Sequence, residues 1–294
     1  MKLKAIHVLL YATLIANAGS AQSTMNNKFL QDSLGKLSSV IWKQKTDSAR
    51  LNASTVFFEK FHSVLNAQSV GSTSFDSIPG ITIAKSEDGK LCVYSWNVPV
   101  SDGSNKYFAF IQLTGDSSGV IPLVSGKTTS GESTNEIYTP ESWYGALYYK
   151  IIDVKISGRT VYTVLGWDGY TKEANRKLID IISINNDGDI IFGMPVFKTE
   201  NGVKSRIILE YADKANLLLR YDYQAIRVEK RKKIKKENAW LIVMDRLVPM
   251  DPSLKGIRKY YVPSGDTYDG FLFRNGYWTL VEDIEVANKT MPSE

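Results

Sequence analysis

The chain has 294 residues, with 36 lysines and arginines against 31 aspartates and glutamates, for a formal charge of +5. So mild an excess does not require a nucleic-acid partner, and a chain this long can bury a sizeable core without covalent staples. One cysteine, Cys92, and two histidines, His7 and His62, exclude an intramolecular disulfide and zinc sites built from His and Cys.

The N-terminus reads as an address. Lys2 and Lys4 form a positive head, residues 8–18 (VLLYATLIANA) an apolar run, and Gly19 and Ala21 the small residues before a cut ahead of Gln22. This is the layout of a secretory signal peptide over residues 1–21. The run is shorter than the ~20 apolar residues of a membrane-spanning helix, and no later segment approaches that length. A secreted or periplasmic product without a transmembrane segment is expected. Gln22 rather than a cysteine follows the cut, so a lipid-anchored N-terminus is not expected.

From 26 to 65 the pattern is helical. Leu30, Leu34, Leu37 and Ile41 fall on one stripe of a 3.6-residue helix, with Gly35 inside it. A second helix is predicted over 55–65, where Phe57, Phe61 and Leu65 recur every four residues and Asn52 or Ser54 supplies the cap. His62, the histidine that outlasts the cut, lies beside this stripe and reads as a packing residue, though a Ser-His-Asp arrangement would have to use it. Residues 68–79 read as a polar linker.

From Ile81 onward the period changes to two. Strands are predicted over 81–86, 90–97, 107–113, 146–156, 160–167, 177–184, 190–197, 205–211, 216–221, 240–246 and 277–286. Asp88-Gly89, Ser157-Gly158, Asp187-Gly188 and Asn275-Gly276 between them suit tight hairpins, because type I′ turns need positive φ at both central residues. Little room remains for the crossovers that parallel strands require. Two longer loops, 125–142 and 249–257, interrupt the series. The expectation is a mainly β fold: an antiparallel meander of about a dozen strands over 80–294, with a short helical N-terminal region and linker over 22–79. So many strands must curl or split, as a sandwich or a barrel. A propeller is the alternative, although no fixed spacing of ~40–50 residues repeats.

Chemistry is narrowed by elimination. No HExxH, P-loop, GxSxG, dinucleotide fingerprint or EF-hand loop is present, and no cofactor or metal is expected. Carboxylates survive the filter. Leu165-Gly166-Trp167-Asp168-Gly169-Tyr170 and the segment 260–271, with Asp266, Tyr268 and Asp269, set acids among rings and glycines. Ordinary turn dipeptides account for both, with ligand contact and carboxylate catalysis as alternatives. Trp143-Tyr144-Gly145 could stack on a sugar or peptide, although core packing also accounts for it. Cys92 shares a strand face with Tyr94 and Trp96 and reads as a small buried apolar residue.

The densest charge run is 227–236 (RVEKRKKIKK), seven basic residues and Glu229. It reads as a charged turn between two exposed strands that also discourages edge pairing. Contact with an acidic glycan or lipid headgroups is the functional alternative. No aromatics interleave with the basics, against single-stranded nucleic acid. Asn52-Ala53-Ser54 and Asn288-Lys289-Thr290 match the glycosylation sequon.

Residues 143–149 (WYGALYY), 165–169 (LGWDG), Tyr261-Val262-Pro263 and Asp269-Gly270-Phe271 together resemble a group of secreted β-rich proteins of the Bacteroidota. That resemblance implies a bacterial, extracytoplasmic setting and carries no activity. Two functions are compatible with the whole: an exported non-catalytic binding or structural module of the cell envelope, with a glycan or other envelope component as its partner, or a carboxylate-based glycan hydrolase using Asp168, Asp266 or Asp269.

Overall fold

A computed structural model describes residues 28–67, 75–115, 118–126, 134–185, 187–230 and 233–284, with backbone alone at 227–230 and 233–235. The expected signal peptide and the sequon at Asn288 lie outside these residues. The chain divides into two compact units, Met1–Ile81 and Thr82–Glu294.

The first unit is helical. Helix α1 spans 28–43 and buries Leu34, Ser38 and Ile41 on one stripe. The Ser38 hydroxyl donates to the carbonyl of Pro79. Helix α2, Asp47–Asn66, begins earlier than its apolar spacing suggests. Its cap is Thr46, whose extended backbone lets the side chain accept from the Ala49 amide at 3.3 Å. Ser54 is therefore a buried mid-helix residue, not a cap. Phe57, Phe61 and Leu65 form the buried face, and the Phe61 ring meets Phe75 edge-on at 5.3 Å. His62 is half-buried, its ring 6.4 Å from that of Phe58.

The second unit is built of strands. Its first sheet is the meander β1 (Thr82–Lys85), β2 (Leu91–Pro99), β3 (Asn105–Leu113) and β4 (Gly119–Val124). The next elements are β5 (Leu147–Ile156), β6 (Arg159–Asp168), β7 (Ala174–Ile184) and β8 (Ile190–Phe192). After them come β9 (Phe197–Thr199), β10 (Gly202–Lys204) and β11 (Ile207–Ala212). The chain ends in β12 (Leu219–Lys230), β13 (Lys233–Pro249), β14 (Tyr261–Arg274) and β15 (Tyr277–Ile284). The second sheet runs β11-β7-β6-β5, with β8 paired to β7; the third runs β10-β9-β15-β14-β13-β12. Pairing is antiparallel except for β9 against β15, which is parallel over Phe197 and Lys198.

These sheets stack in series. Val93, Ala109 and Ile111 of the first pack on Ile151, Val164 and Leu178 of the second. The reverse face of the second, with Ile152, Leu165 and Ile179, packs on Ile242, Phe271 and Trp278 of the third. The middle sheet is thus buried on both sides, which is why residues 177–184 (KLIDIISI) read as a nearly continuous apolar run rather than a clean alternation. The fold is mainly β and sandwich-like, with a third layer added. No sheet closes into a barrel, and unequal sheets of four, five and six strands do not make propeller blades.

Several elements differ from expectation for local reasons. Strand β4 carries Pro122, tolerated because β4 is an edge. The expected strand over 190–197 is split by Gly193, whose φ of 91° turns the chain from the second sheet toward the third. Segment 260–271, read as a turn-rich candidate site, is strand β14, and its Pro263 pairs with Leu247 where the ladder shifts register. The basic run joins β12 to β13, with Lys230 opposite Lys233 at the turn.

Candidate functional site

Asp168 closes β6 and is fully buried. Its Oδ1 accepts from the Tyr107 hydroxyl of β3 at 3.0 Å, and its Oδ2 from the Tyr144 hydroxyl at 3.2 Å. Tyr107 in turn accepts from the Gly169 amide at 2.8 Å. Arg176 faces Asp168 across the β6–β7 ladder and donates to the Tyr144 hydroxyl at 3.4 Å. Its Nε and Nη2 donate to Glu210 Oε2 on β11 at 2.9 and 2.6 Å. The Tyr170 ring lies 3.3 Å from its guanidinium carbon. A sealed carboxylate is thus joined through Tyr144 and Arg176 to Glu210, half-buried at the sheet edge, with Tyr107 as its second hydroxyl donor. Burial first, and the Asp168 charge second, push both phenols far above their ordinary range, so they remain neutral donors.

The other nominated acids lie apart from this network. Asp269 on β14 is clamped by Arg246, whose Nε donates to its Oδ2 at 2.9 Å while Nη2 bonds Oδ1. The amide of Asp283 adds a bond at 3.2 Å. Asp266 is exposed and accepts from the Thr267 hydroxyl at 3.1 Å. The aromatic candidates also separate. Trp143 is buried, and its indole donates to the Tyr148 hydroxyl at 3.0 Å. Tyr144 is buried on Asp168, Trp167 is half-buried and bonded to Tyr211, and Tyr268 packs on Leu241 and Ile284. Among the seven sequence candidates, only Tyr144 and Asp168 are joined by a hydrogen bond among the described contacts.

Two features escape the sequence reading. The first is a buried ion pair: Asp180 of β7 and Arg206, both without side-chain exposure, joined by Nε to Oδ2 at 2.9 Å and Nη2 to Oδ1 at 3.2 Å. Arg206 Nη1 also donates to the Glu136 carbonyl at 2.8 Å.

The second is an aromatic surface on the β12–β13 hairpin. Tyr223 pairs with Trp240, and Tyr221 with Ile242, so all four share the sheet face that carries Phe271 and Trp278 in the core. Toward the turn this face leaves the core behind. Trp240 is 54% exposed and Tyr223 44%. The Trp240 ring stacks on Tyr221 at 5.1 Å and 26°, and meets Tyr223 at 5.6 Å. Asn238 and Lys236, the next residues on this face of β13, are exposed too, and Ala225 opposite Asn238 keeps the profile low. The charged pair Arg220–Asp222 alternates to the other face. The signal was available: Tyr221-Asp222-Tyr223 has period two, and Trp240 sits as far after the basic turn as Tyr223 sits before it.

Among the described residues, no cluster of three or more His, Cys, Asp or Glu could hold a metal, and no helix is long and apolar enough to cross a membrane. Comparison of the chain with family models, curated proteins and solved structures gives no match.

Proposed function

We propose that this chain is an exported, non-catalytic binding module that holds a cell-envelope glycan on the aromatic face of the β12–β13 hairpin. The observation that carries the reading is the Tyr221–Trp240–Tyr223 stack, in which Trp240 and Tyr223 are exposed above a half-buried Tyr221. Single exposed hydrophobics are ordinary on a protein surface, but contiguous aromatic surface marks an interaction site. Flat rings bearing one polar tip suit the apolar face of a sugar, while neighbouring amides and ammonium groups take its hydroxyls. The separate ties of Asp168, Asp266 and Asp269 support a non-catalytic role, since glycoside hydrolysis needs two carboxylates flanking one bond. The export pattern before Gln22 supports the cell envelope as its setting.

The test is a glycan array spanning neutral, amino-sugar and uronate oligosaccharides, probed with the chain from Gln22 onward. The wild type is expected to retain at least one class. Trp240→Ala and Tyr223→Ala should each weaken it about tenfold, the scale of one lost aromatic stacking contact, with the melting temperature little changed. Retention untouched by both substitutions would overturn the reading.

A further inference from the structure

We infer that the loop 250–260, between β13 and β14, docks this protein on an anionic membrane surface, a role separate from that of the aromatic hairpin. The loop is built as a fixed platform. Pro249 pairs with Tyr261 at its base, and the Met250 amide donates to the Tyr260 carbonyl at 2.9 Å across its neck. Two short 3-10 turns, Pro252–Leu254 and Arg258–Tyr260, fill it. Asp251 caps the first by accepting from the Ser253 amide at 2.8 Å, and the Gly256 amide donates to the Tyr261 hydroxyl at 2.9 Å. A compact loop closed at its ends and bonded within itself holds its side chains in place, and such loops commonly carry function.

What this loop presents is apolar and basic together. Met250 is 55% exposed and Ile257 46%. One chain of backbone bonds joins them: the Ile257 carbonyl accepts from the Tyr260 amide at 3.1 Å, and the Tyr260 carbonyl accepts from Met250. Lys255, Arg258 and Lys259 stand among them against Asp251 alone. Asp251 is engaged by the amide and hydroxyl of Ser253, and Lys259 pairs with Glu173 at 2.7 Å. Glu210, on the adjacent β11, is held by Arg176. No ion pair engages Lys255 or Arg258 among the described residues; Arg258 lies 4.6 Å from the centre of the Tyr261 ring. A small free anion would meet these cations and leave Met250 and Ile257 in water. An apolar peptide would cover the two side chains and leave the cations unanswered. A bilayer with anionic headgroups takes both, the apolar tips entering at the acyl boundary and the basic groups reaching the phosphates. The placement suits a module that holds a second ligand. β13 runs from the aromatic hairpin to this loop, so Trp240 and Met250 lie ~30 Å apart along the strand, and docking at one end leaves the other open.

The experiment is co-sedimentation of the chain from Gln22 onward with phosphatidylcholine vesicles, with and without phosphatidylglycerol. Binding to the anionic vesicles is expected to be at least about tenfold tighter than to phosphatidylcholine alone. Lys255→Gln and Arg258→Gln should each weaken it about fivefold, the scale of one basic residue at an anionic surface. Met250→Ser/Ile257→Ser should weaken it about tenfold or more, with the melting temperature unchanged because both side chains are exposed. Trp240→Ala should leave vesicle binding as it is, which separates this role from glycan binding. Binding that survives Met250→Ser/Ile257→Ser would mean that charge alone adsorbs the chain, and overturns the docking loop. Binding indifferent to every loop variant, or no binding to either vesicle, overturns it as well.

Discussion

At the scale of the residue, this protein isolates its buried charge. Asp180 and Arg206 are without exposure, and burial pushes the Asp180 carboxyl up while the guanidinium opposes it. Arginine keeps its proton, and its two-pronged geometry satisfies both carboxyl oxygens. Such a pair contributes little net stability compared with apolar residues of equal volume, yet removing one member strands the other. Asp180→Asn is therefore expected to cost about 3–5 kcal/mol, read as a lower urea midpoint at constant m-value. The double variant Asp180→Leu/Arg206→Met should recover much of that loss, short of what the Glu136 carbonyl forfeits in losing Arg206. A single variant as stable as wild type would show that the charges are hydrated rather than sealed.

At the scale of the element, close approach decides where side chains are allowed. A Cβ on Gly270 would lie 2.5 Å from the Ile242 carbonyl of the neighbouring strand and 2.6 Å from Ile284. The Ile284 methyl could turn away, but the Ile242 carbonyl is backbone of the paired strand and cannot. Gly270→Ala should cost about 1–3 kcal/mol by overpacking, seen as a lower melting temperature, whereas Ala at Gly119, with nothing within 4 Å, should be nearly neutral. A Gly270 variant that melts with the wild type would mean the two strands stand further apart. The same elements show what a sequence exposes. Alternation and Asp-Gly turns made most strands legible, because period and turn chemistry are local. β14 was obscured, because Pro263, Gly265 and Gly270 look like loop residues until a register shift and a close neighbour explain them. The Asp180–Arg206 pair joins a residue of β7 to the residue just before β11, and only β7–β11 pairing aligns them. The aromatic surface was half legible: its residues follow from symmetry about the basic turn, but its exposure depends on where the core beneath it ends.

At the scale of the whole molecule, stability rests on layers rather than on cross-links. The middle sheet gives both faces to its neighbours, and its residues Val164, Leu165, Leu178 and Ile179 are fully buried. Opening β6 or β7 would break both interfaces together, so their amides should exchange only through global unfolding. Cys92 offers a chemical probe of the other face of the first sheet. It is 1% exposed on β2, with Lys85 and Gln112 on either side in the ladder. Its side chain lies on the face of β2 opposite Val93, so a thiol reagent reaches it only when that face is uncovered, and labelling under native conditions should be slower than on the denatured chain by the factor that separates open from closed states. For a domain with 5–15 kcal/mol of stability, that factor runs to several orders of magnitude. One equivalent should react promptly in denaturant, and reductant should leave the melting temperature unchanged, since the sole cysteine makes no bridge within the chain. Prompt labelling in native buffer would show that this face of the first sheet is uncovered by local opening, well below the free energy of global unfolding.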